Sequence, residues 1–240
     1  MDPGAQVSTH DVSDSAPRGD TMNRLRAAVL GANDGIISNA SIVLGVAGAT
    51  TDTRVILISG VAGLLAGAFS MAAGEYVSVS SQRDAEQMLL AKERSELKAY
   101  PQEEFAELKR IYEEKGLTPE TAETVARELS AHDEFLAHAD AELGINPSDL
   151  MNPWQASIAS FLSFGLGGVI PLVAILLPPV SMRVYLTFAA VLAALIVTGI
   201  ISARVSGASP GRATMRVVLG GVLAMLVTYS VGTLFGVTAR

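Results

Sequence analysis

Two carboxylates stand where carboxylates are expensive. Asp34 interrupts an apolar stretch running from about Ala27 to Ala49, and Glu75 lies in another from Val55 to about Val79. An ionised side chain in hydrocarbon costs about 2.5–3.5 kcal/mol on insertion scales and is a functional candidate by default. Met71 precedes Glu75 by four residues, on the same helical face, with Ser70, Ser78 and Ser81 nearby. Carboxylate plus thioether suits a transition metal of intermediate softness such as iron(II), whereas a calcium or magnesium site has no use for sulfur. The competing readings are core packing for Met71, its commoner role, and an interfacial position for Asp34, one or two turns past Arg26.

A second set of candidates lies between Asp84 and Asp149, where most of the acidic residues fall. Glu93 and Glu96 are three apart; Glu104 and Glu107 repeat that spacing, with Glu103 four residues before Glu107; Glu134, His138 and Glu142 stand at intervals of four. Each set shares one face of a helix, and three such faces can converge on a polynuclear metal site. For any single glutamate a solvated charged face is the commoner role. Ferritin-like di-iron chemistry is excluded, because its Glu-x-x-His motif is absent: Glu128/His132 and Glu134/His138 are four apart. No Walker motif points to ATP-driven pumping, and no hydrolase signature is present. With no cysteine in the chain, thiolate ligands, disulfides and Cys nucleophiles are ruled out.

The elements that must position these residues follow from composition. Half of the 240 residues are hydrophobic and only 17% charged, too apolar for an ordinary soluble domain of this size. A bilayer core needs about 20 apolar residues in a helix. Three further stretches qualify: Ala156 to Leu177, Val184 to Ala203 and Val217 to Val237. The fold class expected is therefore all-α, an integral membrane protein with five transmembrane helices and a three-helix cytoplasmic insert between helices 2 and 3. The boundaries are a disordered tail over 1–22, helices 1–2 over 23–80, the insert over 81–152 and helices 3–5 over 153–240. Within the insert, helix 2 continues to about Ala99. Pro101 opens a second helix that ends near Lys115-Gly116, and Thr118-Pro119-Glu120 opens a third that runs to Leu143-Gly144. Asp52 or Thr53 is a candidate cap for helix 2.

Counted over the short segments, six Lys/Arg fall on the side of the N-terminus and three on the other, which puts the N-terminus and the insert in the cytoplasm and the C-terminus outside. The net charge of -7 argues against nucleic acid as a partner. The polar N-terminus lacks the basic start and apolar run of a cleaved signal. Small residues crowd helix 2, with Gly63 and Gly67 forming a small-xxx-small pair that serves either packing within one subunit or a dimer seam.

Leu30-Gly31-Ala32-Asn33-Asp34-Gly35 and Ser70-Met71-Ala72-Ala73-Gly74-Glu75-Tyr76-Val77-Ser78-Val79-Ser80-Ser81-Gln82 resemble the vacuolar iron transporter family, over about Asn23 to the C-terminus. The resemblance implies a homodimer that moves iron(II), and often manganese(II), out of the cytosol in exchange for protons, along a path at the subunit interface. It implies that Asp34 and Met71 match membrane-site ligands, that Glu93, Glu96, Glu104 and Glu107 match metal-binding glutamates of the insert, and that Glu142 matches a further one. Two positions depart from the family. Some members carry a glutamate where this chain has Gly63, a role open to Glu75; some carry a Met pair where this chain has His138-Ala139.

The expectation is thus a secondary exporter of divalent transition metal in the cell membrane, with lipid, metal ions and protons as partners. It is no enzyme and has no cofactor beyond the metal it carries. Asp34, Met71 and Glu75 would form the membrane site; Glu93, Glu96, Glu104, Glu107, His138 and Glu142 would collect metal in the insert. The alternative is a metal sensor or scaffold that transports nothing.

Overall fold

A computed structural model describes residues 16–238, with side chains over 28–236. Seven helices and no strand occur among the described residues: α1 (Ala16–Ala49), α2 (Thr53–Ala99), α3 (Pro101–Glu114), α4 (Pro119–Ala141), α5 (Pro153–Leu176), α6 (Arg183–Ser206) and α7 (Pro210–Thr238). Five are long and apolar enough to cross a membrane: α1, α2, α5, α6 and α7. The expected tail over residues 1–22 falls mostly on residues 1–15, which lie outside the described residues; α1 begins at Ala16.

The chain divides into two compact units, one of residues 1–73 and 157–240, the other of 74–156. In the first, α1 is the central helix. Ile36, Ala40, Val43 and Leu44 share a buried core with Ile56 of α2, Leu172 and Ile175 of α5, Val191 and Leu195 of α6 and Met225 of α7. Glycine allows the closest crossings. A Cβ at Gly232 would lie 1.8 Å from the Gly45 carbonyl oxygen, and one at Gly35 would lie 2.1 Å from that of Phe164. Apolar side chains gain little by leaving lipid for a neighbouring helix, so this backbone-to-backbone packing is what draws the helices together. Buried polar groups add directed bonds: Asn39 Nδ2 donates to Gly168 O at 2.6 Å, and Thr198 Oγ1 donates to Asn33 Oδ1.

Helix α2 has 47 residues. At 1.5 Å per residue it is about 70 Å long, more than twice a bilayer's hydrocarbon thickness. Asp52 caps it, with Oδ1 accepting from Arg54 N–H at 2.7 Å. In the second unit α3 and α4 pack on Leu108, Ala126 and Ala137. Their turn is built as its residues dictate. Gly116 takes φ +101, a left-handed value that favours glycine, Gly116 N–H reaches Glu113 O, and Leu117 N–H reaches Tyr112 O, closing a Schellman motif. Thr118 Oγ1 accepts from Thr121 N–H, with Pro119 in the first turn.

The third insert helix is not continuous. Asp133 leaves helical geometry at φ −159 and ψ 98, splitting α4 in two. Its Oδ1 accepts from Leu136 N–H at 2.9 Å, so Asp133 is the N-cap of the second half, the half that carries His138 and Glu142.

Candidate metal centre

The second unit gathers four of the expected ligands. Glu93 comes from α2, Glu104 from α3, His138 from the second half of α4 and Glu142 from the cap at its end. One ligand atom from each lies within 4.8 Å of all the others. Metal–ligand bonds of about 2.0–2.2 Å place ligand atoms at most roughly 4.4 Å apart, so small rotamer changes would close the group on one ion. His138 is fully buried, and Glu93 and Glu104 are nearly so. His138 Nδ1 stands 3.0 Å from Glu93 Oε1, 3.7 Å from Glu104 Oε2 and 3.9 Å from Glu142 Oε2. Yet Nδ1, Nε2 and Glu93 Oε1 all lack a partner in hydrogen-bonding geometry. Buried polar atoms are almost always paired, so this orphaned set is an exception that a bound cation would explain.

Burial and crowding shift the titration of the gathered groups. Burial pushes the Glu93 carboxyl up to about 7, and the neighbouring Glu142 and Glu104 carboxylates add to the shift. Glu104 is raised by the same causes, burial first and then Glu107. Burial lowers the His138 imidazole from its ordinary value, against the upward pull of Glu142, Glu134 and Glu107. Without metal, burial thus favours the uncharged forms of Glu93, Glu104 and His138. The Arg94 guanidinium lies 4.2 Å from the centre of the Phe135 ring, tying α2 to the second half of α4 beside these ligands.

Glu96 and Glu107 stand outside this group. Glu96 pairs with Lys92 Nζ at 2.8 Å, and Glu107 with Arg110 Nη2 at 3.0 Å. Each is one turn from a gathered ligand, so they form a charged rim.

The first unit holds a separate cavity of about 500 Å³, lined by Asp34, Ser38 and Ile42 of α1, Gly63, Ala66, Gly67, Ser70 and Met71 of α2, and Phe164 of α5. Asp34 and Met71 thus meet one space, as their chemistry suggests. The Met71 methyl lies within 3.5 Å of where a Cβ on Gly31 would stand, one turn before Asp34. Glu75 belongs to the other unit and joins none of the gathered ligand groups there. Ser38 was not among the expected site residues. Its spacing of four from Asp34, on the same helix face, is the signal that marks it.

The sequence pattern of the VIT family matches residues 25–233. The chain belongs to the VIT family. Among its relatives, a vacuolar iron transporter of Acanthamoeba castellanii is 42% identical over 215 residues, covering 89% of this chain and 79% of that protein. Vacuolar iron transporter homolog 1 of Oryza sativa subsp. japonica is 37% identical over 213 residues, 88% of this chain and 74% of that protein. Vacuolar iron transporter homolog 2.1 of Arabidopsis thaliana is 36% identical over 216 residues, 90% and 83% respectively. The matched span takes in the residues that line the membrane cavity and the four gathered ligands.

Proposed function

We propose that this VIT protein is a secondary transporter that exports a divalent transition metal, iron(II) or manganese(II), from the cytosol in exchange for protons. The observation that carries the reading is a carboxylate and a thioether, Asp34 and Met71, lining one cavity in the unit built from membrane-crossing helices. The names of the relatives, vacuolar iron transporters, support metal as the cargo. The Lys/Arg bias supports a cytoplasmic N-terminus and insert; Gly60, Gly63 and Gly67 of α2 pack within the chain, against Val43, Ile42 and Phe164, so the homodimer and the cell membrane as its location rest on the family resemblance alone.

In this reading the insert collects metal at Glu93, Glu104, His138 and Glu142, with Glu96 and Glu107 attracting the cation at the rim. Binding displaces the Glu93 proton. Asp34 and Met71 receive the ion in the membrane unit. Protons entering from outside neutralise the Asp34 carboxylate and release the metal. Each proton brings about 1.4 kcal/mol per pH unit. Two protons over one unit sustain roughly a hundredfold metal gradient, membrane potential aside.

The insert site alone would also serve a metal sensor or scaffold. Proteoliposomes with an imposed pH gradient separate the two. A transporter moves iron(II) or manganese(II) against its gradient, with cobalt(II) and zinc(II) ranking the selectivity. Metal binding without pH-driven flux would overturn the transporter reading.

A further inference from the structure

Ser38 directs its hydroxyl proton to a carboxylate, unlike several hydroxyls of the membrane helices. Thr187 donates to Arg183 O, Thr228 to Ala224 O and Thr233 to Ser230 O, each returning its proton to a carbonyl of its own helix. That is the ordinary fate of a helix hydroxyl in an apolar setting. Ser157 crosses to another helix but still ends on a carbonyl, Ala72 O. Ser38 Oγ instead donates to Asp34 Oδ1 at 2.9 Å. Both side chains line the same cavity, one turn apart on α1.

We infer that Ser38 is a positioning residue for the Asp34 carboxylate, fixing Oδ1 so that Oδ2 remains for a divalent cation in the cavity. The inference rests on the reading of that cavity as the transport site. A carboxylate on a two-torsion side chain has many orientations in a space of this size, and a charge-assisted hydrogen bond selects one before the cation arrives. The hydroxyl has spent its only proton on Asp34, so its lone pairs face the cavity and repel no cation. Among the other lining side chains Ser70 carries the one hydrogen-bond donor, and Asp34 Oδ1 takes its bond from Ser38.

The test is manganese(II) flux in proteoliposomes, comparing wild type with Ser38→Ala, Ser38→Thr and Asp34→Asn. Losing a charge-assisted bond should raise KM for manganese(II) about tenfold in Ser38→Ala, with Vmax little changed. Ser38→Thr keeps the hydroxyl and should recover most of the affinity. Melting temperatures in detergent should match across the series. A wild-type KM in Ser38→Ala, with Asp34→Asn inactive, would overturn the positioning role alone. Equal KM increases in Ala and Thr would overturn it too, since only packing would then be at stake. Wild-type flux in Asp34→Asn would instead remove the transport-site reading itself.

Discussion

His138 Nδ1 and Glu93 Oε1 lie 3.0 Å apart in a buried site, and neither is aligned to bond the other. Close approach without hydrogen bonding is costly for an empty core and apt for two ligands awaiting one ion.

Removing the carboxyl should therefore stabilise the metal-free protein while destroying the site. The Glu93 carboxyl titrates near 7 in the folded chain, above its ordinary 4.5. Folding thus favours its protonated form. The stability it contributes is full below about 4.5 and is lost as pH rises through 7. Glu104 shifts in the same direction, whereas the lowered His138 opposes both as pH falls below 6.5. The clean window is above that value. Between pH 6.5 and 8 the metal-free wild type should lose about 1 kcal/mol from Glu93. Glu93→Gln, with nothing to ionise, should lose less and melt higher at pH 8. Thermal melts in detergent with a chelator check this; a lower melting temperature for Glu93→Gln at pH 8 would contradict it.

Metal binding should show the mirror image. A divalent ion must displace the Glu93 proton, so affinity should fall about tenfold per pH unit below 7 and level off above 8. Neutral His138 adds no competition near 7. Calorimetry with manganese(II) on an Asp34→Asn background, which silences the membrane site, reads the insert alone. An affinity independent of pH from 6 to 8 would rule out Glu93 as a ligand.

In the membrane unit, Asp34→Asn should abolish transport and leave the fold intact, because it removes the charge and keeps the shape. Its stability should be equal or slightly higher, a charge at membrane depth being costly. Met71→Leu keeps the volume and loses the sulfur, so it should change the ranking among metals more than the rate. Glu75→Gln, a residue apart from the gathered ligands, should cost less flux than Asp34→Asn. Initial rates in proteoliposomes for iron(II), manganese(II), cobalt(II) and zinc(II) decide all three.

Two backbone features should be sensitive in different ways. Gly232→Ala would place a Cβ 1.8 Å from Gly45 O, against backbone that has no room to give. It should force α1 and α7 apart and lower the melting temperature of the whole membrane unit. Asp133→Ala removes a helix cap worth about 1 kcal/mol. It should loosen only the second half of α4, weaken metal binding by the insert and leave Asp34-dependent flux measurable. Hydrogen exchange over residues 134–142, faster in Asp133→Ala and restored by Asp133→Asn, is the discriminating measurement.

The sequence by itself determined the helices, because their causes are local. Twenty-residue apolar runs can satisfy their backbone in lipid only as helices. Pro101, Gly116, Thr118 and Pro119 end and start the insert's helices through their own geometry. The chemical types of the ligands were legible as well, since Asp34, Met71 and the glutamates stand out against their surroundings. Which of them meet was decided only in three dimensions. Glu93 and Glu96 carry the same group one turn apart, yet a helix turns about 100° per residue. Packing sends Glu93 inward toward His138 and leaves Glu96 to Lys92. The break at Asp133 was unreadable in a helix expected to run from Thr118 to Leu143, because it depends on a cap competing with helix continuation. Ser38 and Asp34 were adjacent in the sequence pattern, but the direction of one hydroxyl proton, toward a carboxylate instead of a carbonyl, is a property of the folded cavity alone.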